Sequence, residues 1–225
     1  MEIIPAILPR DFSEIVEKID LIKGIASFVQ IDICDGKFVK SNTWPYRKQD
    51  DNFERILKEE IGMPEWESMN YEFDLMIQNP NEDDARKWLS AGAERLVLHY
   101  ESSDDLNPVI SVLENLVEIG IAINTSTDIN EIKKYSDKVQ FIQCMGIRKI
   151  GYQGQDFDSD IINKIKDIKI QFPNHKVSVD GGVSLENAHL LKHIGVDRLI
   201  VGSAIFDNTN SLENIVDTYR KFLNI

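Results

Sequence analysis

The feature that most constrains this chain is an alternation of short β-like runs with segments of helical period, eight times over. The β-like runs are IIPAIL (3–8), SFVQIDI (27–33), YEFDLMI (71–77), RLVLHY (95–100), GIAINT (120–125), KVQFIQC (138–144), KVSVDG (176–181) and RLIVG (198–202). The helical segments between and after them open on Asp, Asn or Ser in several cases and run to a glycine, as in NEDDARKWLSAG and SLENAHLLKHIG. Gly24, Gly92, Gly120 and Gly195 each read as lying between a helix and the next strand. A parallel strand pair needs a crossover of a dozen or more residues, which a helix supplies. Eight such units predict a closed (β/α)8 TIM barrel spanning residues 1–225 as one domain. The longest irregular stretch surrounds the second helix, at 37–51 and 62–70, and reads as an elaborated loop rather than a boundary. The totals agree: 225 residues with 42% hydrophobic and 28% charged content suit a folded barrel.

A formal net charge of −13 argues against a nucleic-acid or anionic-membrane surface. It leaves room for a small anion, because backbone N–H groups bind phosphate without net positive charge. Cys34 and Cys144 fall on predicted strands and make no disulfide framework. The opening MEIIPAILPRDF lacks a basic region followed by a long apolar run, and no stretch reaches the ~18 apolar residues of a membrane span. A cytoplasmic protein is the expectation.

Strand parity then points to a site. Val29, Ile31 and Ile33 share one face of the second run, and Gln30, Asp32 and Cys34 the other. In a barrel the first set packs on helices and the second faces the lumen. By the same parity Glu72, Asp74 and Met76 face inward on the third strand, and Ser178 and Asp180 on the seventh. Asp32, Asp74 and Asp180 would therefore converge at the C-terminal strand ends, where such barrels keep their chemistry. Three carboxylates in a lumen repel one another unless protonated, metal-bound or paired with cations. That favours a functional site over a structural one. Asp35, followed by Gly36, reads as a turn or cap carboxylate.

The last three strands are followed by the glycine-bearing segments IGYQGQ (150–155), VDGGVS (179–184) and VGSAIF (201–206). Glycine lets backbone N–H groups approach a phosphate closely. The expected phosphate contacts are Gly151, Gly154, Gln155, Gly181, Gly182, Gly202 and Ser203, with Met76 on the sugar side.

In order and spacing, "IIPAILPRDF", "IDICDGKFV", "DLMIQNP", "LVLHYES", "GIAINTST", "GYQGQDF", "VDGGV" and "VGSAIF" resemble the ribulose-phosphate 3-epimerase family over nearly the whole chain. The resemblance implies a ribulose-phosphate-binding barrel that inverts carbon 3 of a ketose phosphate through an enediolate. It implies that Asp32 and Asp180 work as acid and base on opposite faces, both also lying in the family's metal site. The expected partners are a small phosphorylated sugar and further copies of the chain, with no nucleic acid and no membrane.

Departures from the family pattern carry equal weight. Gln30 and Asp74 stand where the family has histidines, Ala6 where it has Ser and Cys34 where it has Met. Gln30, Asp32, Asp74 and Asp180 offer oxygen donors, a set suited to Mg²⁺ or Mn²⁺ rather than Zn²⁺. A metal-free site is the alternative, with Arg148 or Lys149 stabilising the oxyanion, set against both being solvated loop charges. His99 is a lumen hydrogen-bonder or a substrate contact. His175, His189 and His193 read as surface residues, and Trp44, Trp66 and Trp88 show no stacking pattern. Three other functions stay open: epimerisation of a six-carbon substrate such as allulose 6-phosphate, a phosphosugar lyase or decarboxylase, and a phosphosugar-binding relic. Against the second, "DICDG" lacks the lysine of the Asp-x-Lys-x-x-Asp motif.

Overall fold

The computed structural model describes residues 1–47, 50–206 and 212–225. Eight parallel strands close into a barrel in sequence order. They are β1 (Glu2–Ile7), β2 (Phe28–Cys34), β3 (Asn70–Met76), β4 (Ala93–His99), β5 (Glu118–Ile123), β6 (Phe141–Met145), β7 (Lys176–Asp180) and β8 (Arg198–Val201). The seam is made by β1 against β8, where Glu2 pairs with Arg198 and Pro5 with Val201. The helices are α1 (Phe12–Ile22), α2 (Asn52–Leu57), α3 (Glu82–Ser90), α4 (Asn107–Leu113), α5 (Ile161–Gln171), α6 (Leu185–His193), α7 (Ser203–Phe206) and α8 (Leu212–Leu223). The barrel expected from the alternation is the fold observed, and none of these helices is long and apolar enough to cross a membrane.

Local chemistry accounts for the elements. Asp11 caps α1 by accepting the Glu14 N–H at 3.1 Å, and Ile15, Ile19 and Ile22 recur at helical spacing on its buried face. Asn81 and Asp84 form a reciprocal capping box at the start of α3. Some expected helices are shorter than their apolar period suggests. The segment 105–120 is helical only to Leu113, because Asn115 takes a left-handed φ of 65° and β5 begins at Glu118. INEIKKYS forms a 3-10 helix, Ile129–Tyr135, with Asp128 holding the Asn130 N–H at 2.9 Å. Ser211, the expected start of the last helix, lies outside the described residues.

Gly120 lies inside β5, not between a helix and a strand. A Cβ there would come within 2.2 Å of the Phe141 ring, so the glycine makes room for a phenyl group inside the lumen. The tryptophans also depart from expectation. Trp44 and Trp88 meet edge-on at 6.2 Å, Phe12 and Phe53 pack on Trp44, and Phe53 and Phe73 pack on Trp88. This cluster holds the loop after β2 against the barrel wall, while Trp66 is exposed. Next to it the Thr43 hydroxyl accepts the Cys34 N–H and donates to the Asp32 carbonyl, each at 2.8 Å. The elaborated loop thereby fixes the end of the strand that carries Asp32.

The outer strand faces join the helices in the main hydrophobic core. The lumen's lower end is filled differently. Arg95 and Arg198 both bind Glu2 and Glu118, at 2.6–3.2 Å. Their guanidinium groups lie over Phe28 and Phe141, at 3.7 and 4.7 Å from the ring centres. Glu72 is fully buried above them, 3.7 Å from Arg95. Burial pushes its carboxyl up to about 8, against the pull of the two arginines.

Candidate active site

Side-chain oxygens of Asp32, Asp74 and Asp180 lie within 4.8 Å of one another. The first two sit at paired positions on β2 and β3, and the third at the end of β7. Asp74 is fully enclosed, Asp32 nearly so, and Asp180 is half-buried at the cavity. Strand parity brings them together, as the sequence implied.

Three nitrogen donors hold the carboxylates. Gln30 Nε2 donates to Asp32 Oδ1 at 2.8 Å and to Asp180 Oδ2 at 3.0 Å. Gln143 Nε2 reaches Asp74 Oδ2 at 3.2 Å and Asp180 Oδ2 at 3.4 Å. His99 Nε2 lies 2.8 Å from Asp74 Oδ1. Gln143 was not singled out by sequence, although it shares the inward parity of Met145 on β6 and that signal identifies it. His99 takes the first of its two expected roles, hydrogen bonding within the lumen.

The electrostatics follow from crowding. Burial raises the Asp32 carboxyl well above the usual range, and Asp180 and Asp74 raise it further. Asp180 is pushed up to about 7 by burial and by Asp74, with Gln30 pulling the other way. Burial opposes a charge on His99, but Asp74 outweighs it and the net direction is upward. Crowding and burial together thus work against ionising Asp32 and Asp180 at once.

Above the carboxylates lies a cavity with a free volume of about 40 Å³. Asp32 and Asp180 reach it, and every expected sugar or phosphate contact lines it: Met76, Gly151, Gly154, Gln155, Gly181, Gly182, Gly202 and Ser203. Gly181 and Gly182 have φ of 98° and 66°, and a Cβ on either would come within 2.7 Å of Ile147 or the Phe157 backbone. That turn accepts only glycine without rearrangement. Tyr152, Gln153, Ile147 and Val183 also line the cavity, and neither strand parity nor a glycine marks them. The Gln155 amide is turned to carbonyls of its own loop, Lys149 and Tyr152.

Some candidates fall elsewhere. Arg148 is exposed and paired with Asp158 at 2.8 Å and Asp160 at 3.1 Å, and Lys149 is exposed. Neither lines the cavity, so the solvated-charge reading describes them. Asp35 accepts the backbone N–H groups of Lys37, Phe38 and Gln78 at 2.8–3.0 Å, as a turn carboxylate does. His189 and His193 are exposed, and His175 is half-buried with Nε2 2.8 Å from the Ser136 carbonyl.

The three aspartates can hold a divalent metal. The observation that fits one is a cluster of carboxylate oxygens at ligating spacing, beside buried amide oxygens of Gln30 and Gln143 that lack a hydrogen-bond partner. Gln30, expected among the ligands, turns its nitrogen rather than its oxygen to Asp32 and Asp180. In this arrangement it is a donor to the carboxylates.

Comparison with known proteins places the chain. Residues 2–206 match the family model described as "Ribulose-phosphate 3 epimerase family". Ribulose-phosphate 3-epimerase of Bacillus subtilis is 28% identical over 218 residues, 93% of this chain and 94% of that one. The Escherichia coli protein of the same name is 25% identical over 236 residues, 98% of this chain and 95% of the other. Among solved structures, KGPDC from Streptococcus mutans superposes with a TM-score of 0.73 at 12% identity, covering 100% of this chain and 98% of that one. The 3-hexulose-6-phosphate synthase from Salmonella typhimurium gives 0.71 at 14%, covering 100% and 99%. At that identity the two structures show a shared fold alone. The match over residues 2–206 carries the conclusion: the chain belongs to the ribulose-phosphate 3-epimerase family.

Proposed function

We propose that the protein is a ketose-phosphate 3-epimerase that interconverts ribulose 5-phosphate and xylulose 5-phosphate. The observation that carries this is the placement of Asp32 and Asp180, on separate strands, at one cavity whose upper wall is the glycine turns after β6, β7 and β8. Inversion at a carbon beside a carbonyl needs one group to remove a proton and another to return it on the opposite face. Asp180 and Asp32 take those parts, exchanging them when the substrate is the other epimer. Gln30, bound to both, fixes their separation. Backbone N–H groups at Gly181, Gly182 and Gly202 hold the phosphate, which anchors carbon 3 over the carboxylates.

Asp32, Asp74 and Asp180 would hold the metal, and Mg²⁺ or Mn²⁺ suits their oxygens better than Zn²⁺. When bound, such an ion supplies positive charge to the enediolate oxygens as negative charge develops there. The geometry gives no support to Arg148 or Lys149 in that part. The test is incubation with ribulose 5-phosphate in D₂O. Xylulose 5-phosphate carrying deuterium at carbon 3 is the expected product. Unlabelled sugar with no epimer formed would overturn the reading.

A further inference from the structure

We propose that Gln153 is a substrate-binding residue whose side-chain amide donates to the phosphate of the bound ligand. The inference rests on the phosphate-sugar reading above and adds a side-chain contact to it. Gln153 hangs from the loop between β6 and α5 into the cavity shared by Asp32, Asp180 and the glycine turns. Its amide fills the space that Gly202 leaves by having no side chain: a Cβ on Gly202 would lie 2.6 Å from Gln153 Nε2. The amide therefore already stands in the corner where the phosphate is to bind.

Three observations make that amide a donor to the ligand rather than a structural tie. Its bond to the Ala6 carbonyl is 3.4 Å long, at the weak end of hydrogen bonding. The Gln155 amide, its neighbour on the loop, is committed to two carbonyls and cannot take the same part. Among the described residues lining the cavity there is no lysine, arginine or histidine, so a phosphate dianion has only neutral donors to meet it. Moving the Gln153 amide from the Ala6 carbonyl onto a phosphate oxygen replaces a weak bond with a charge-assisted one.

Because the phosphate is unchanged by the reaction, this contact is as strong in the ground state as in the transition state. Losing it raises KM and leaves kcat alone. The experiment compares the natural protein with Gln153→Ala and Gln153→Glu. It reads kcat and KM for ribulose 5-phosphate, and separately the Kd for inorganic phosphate by calorimetry. For Gln153→Ala we expect KM and phosphate Kd to rise together by roughly ten- to a hundredfold, with kcat held within about threefold. Gln153→Glu, equal in size but repelling the anion, weakens both further. A rise in KM with phosphate Kd unchanged would place the amide on the sugar and overturn the proposal. Unchanged or tighter phosphate binding in Gln153→Ala would make the side chain a mere occupant of the corner and overturn it too, as would a natural protein that binds no phosphate. If the natural protein binds phosphate yet epimerises nothing, the function above fails, and the phosphate affinities still decide the role of Gln153.

Discussion

His99 Nε2 and Asp74 Oδ1 face each other at 2.8 Å in the barrel interior, both side chains wholly shielded from solvent. Asp74 stands where a histidine is expected from the family pattern, and an imidazole on the next strand meets its carboxylate instead. Replacing His99 with Leu leaves that carboxylate without its closest partner and should cost about 3–5 kcal/mol. The sign of the pH effect follows from the raised His99 pKa. Stabilisation by a raised histidine is complete below its unfolded pKa of about 6.5 and fades as pH climbs through the folded value. Urea melts of both proteins at pH 6 and pH 9 should therefore show the larger gap at pH 6; an equal gap would mean the imidazole carries no charge.

Asp180→Asn should reduce epimerisation by at least about 10²- to 10⁴-fold, since an amide of the same shape cannot accept and return a proton. The Tm and the affinity for inorganic phosphate should stay close to those of the natural protein. Loss of deuterium uptake at carbon 3 is the sharper readout. Turnover at the natural rate would remove Asp180 from the reaction.

Metal preference tests the ligand set. Calorimetric titration should give tighter binding of Mn²⁺ or Mg²⁺ than the oxygen-only donors allow for Zn²⁺. Gln30→His together with Asp74→His restores two imidazoles and should move the preference toward Zn²⁺. Tight stoichiometric zinc in the natural protein would contradict the donor argument. Full activity in excess chelator would show that the carboxylates and their amide donors suffice without an ion.

Glu72, one layer below Asp74 in the lumen, supplies a stability test. Its carboxyl is raised from 4.5 to about 8, chiefly by burial. The unfolded chain ionises near the lower value and the folded chain near the upper, so stability falls across that window and is lowest above it. Glu72→Gln removes the burden while keeping the shape. Its stability advantage in urea melts should be absent near pH 4.5 and grow toward pH 8, reaching about 5 kcal/mol at most. A variant less stable at pH 8 would show that the Arg95 contact outweighs the cost of burying the charge.

The sequence made the alternation and the inward parity legible, because both rest on short-range periods of two and 3.6 residues. Asp32, Asp74 and Asp180 needed nothing more. The glycine turns were legible for a similar reason, since the backbone conformation they adopt is nearly a property of the residue. Gln143 and the floor pairs of Arg95 and Arg198 escaped notice although the same parity marks them. An inward glutamine or arginine tells nothing until its partner is known, and those partners lie up to 196 residues away. The orientation of the Gln30 amide is likewise set by two carboxylates on different strands. The tryptophan cluster joins the loop after β2 to α1, α2, β3 and α3, and no periodicity connects such distant positions.

The seam between β1 and β8 fixes when this protein can first work. Glu2 is tied to Arg198 through both the strand ladder and an ion pair. The ring therefore stays open on the ribosome until residue 198 and its strand have emerged. Asp32 and Asp74 leave early, but Asp180 and the turn at Gly202 follow only with the last two strands of the barrel. A nascent chain lacking its last strand has an unpaired edge on β1 and no enclosed cavity, a species exposed to aggregation and unable to hold substrate. Competence arrives in one step, at the eighth strand, and a chain stalled before it should be a client for chaperones rather than a slower enzyme.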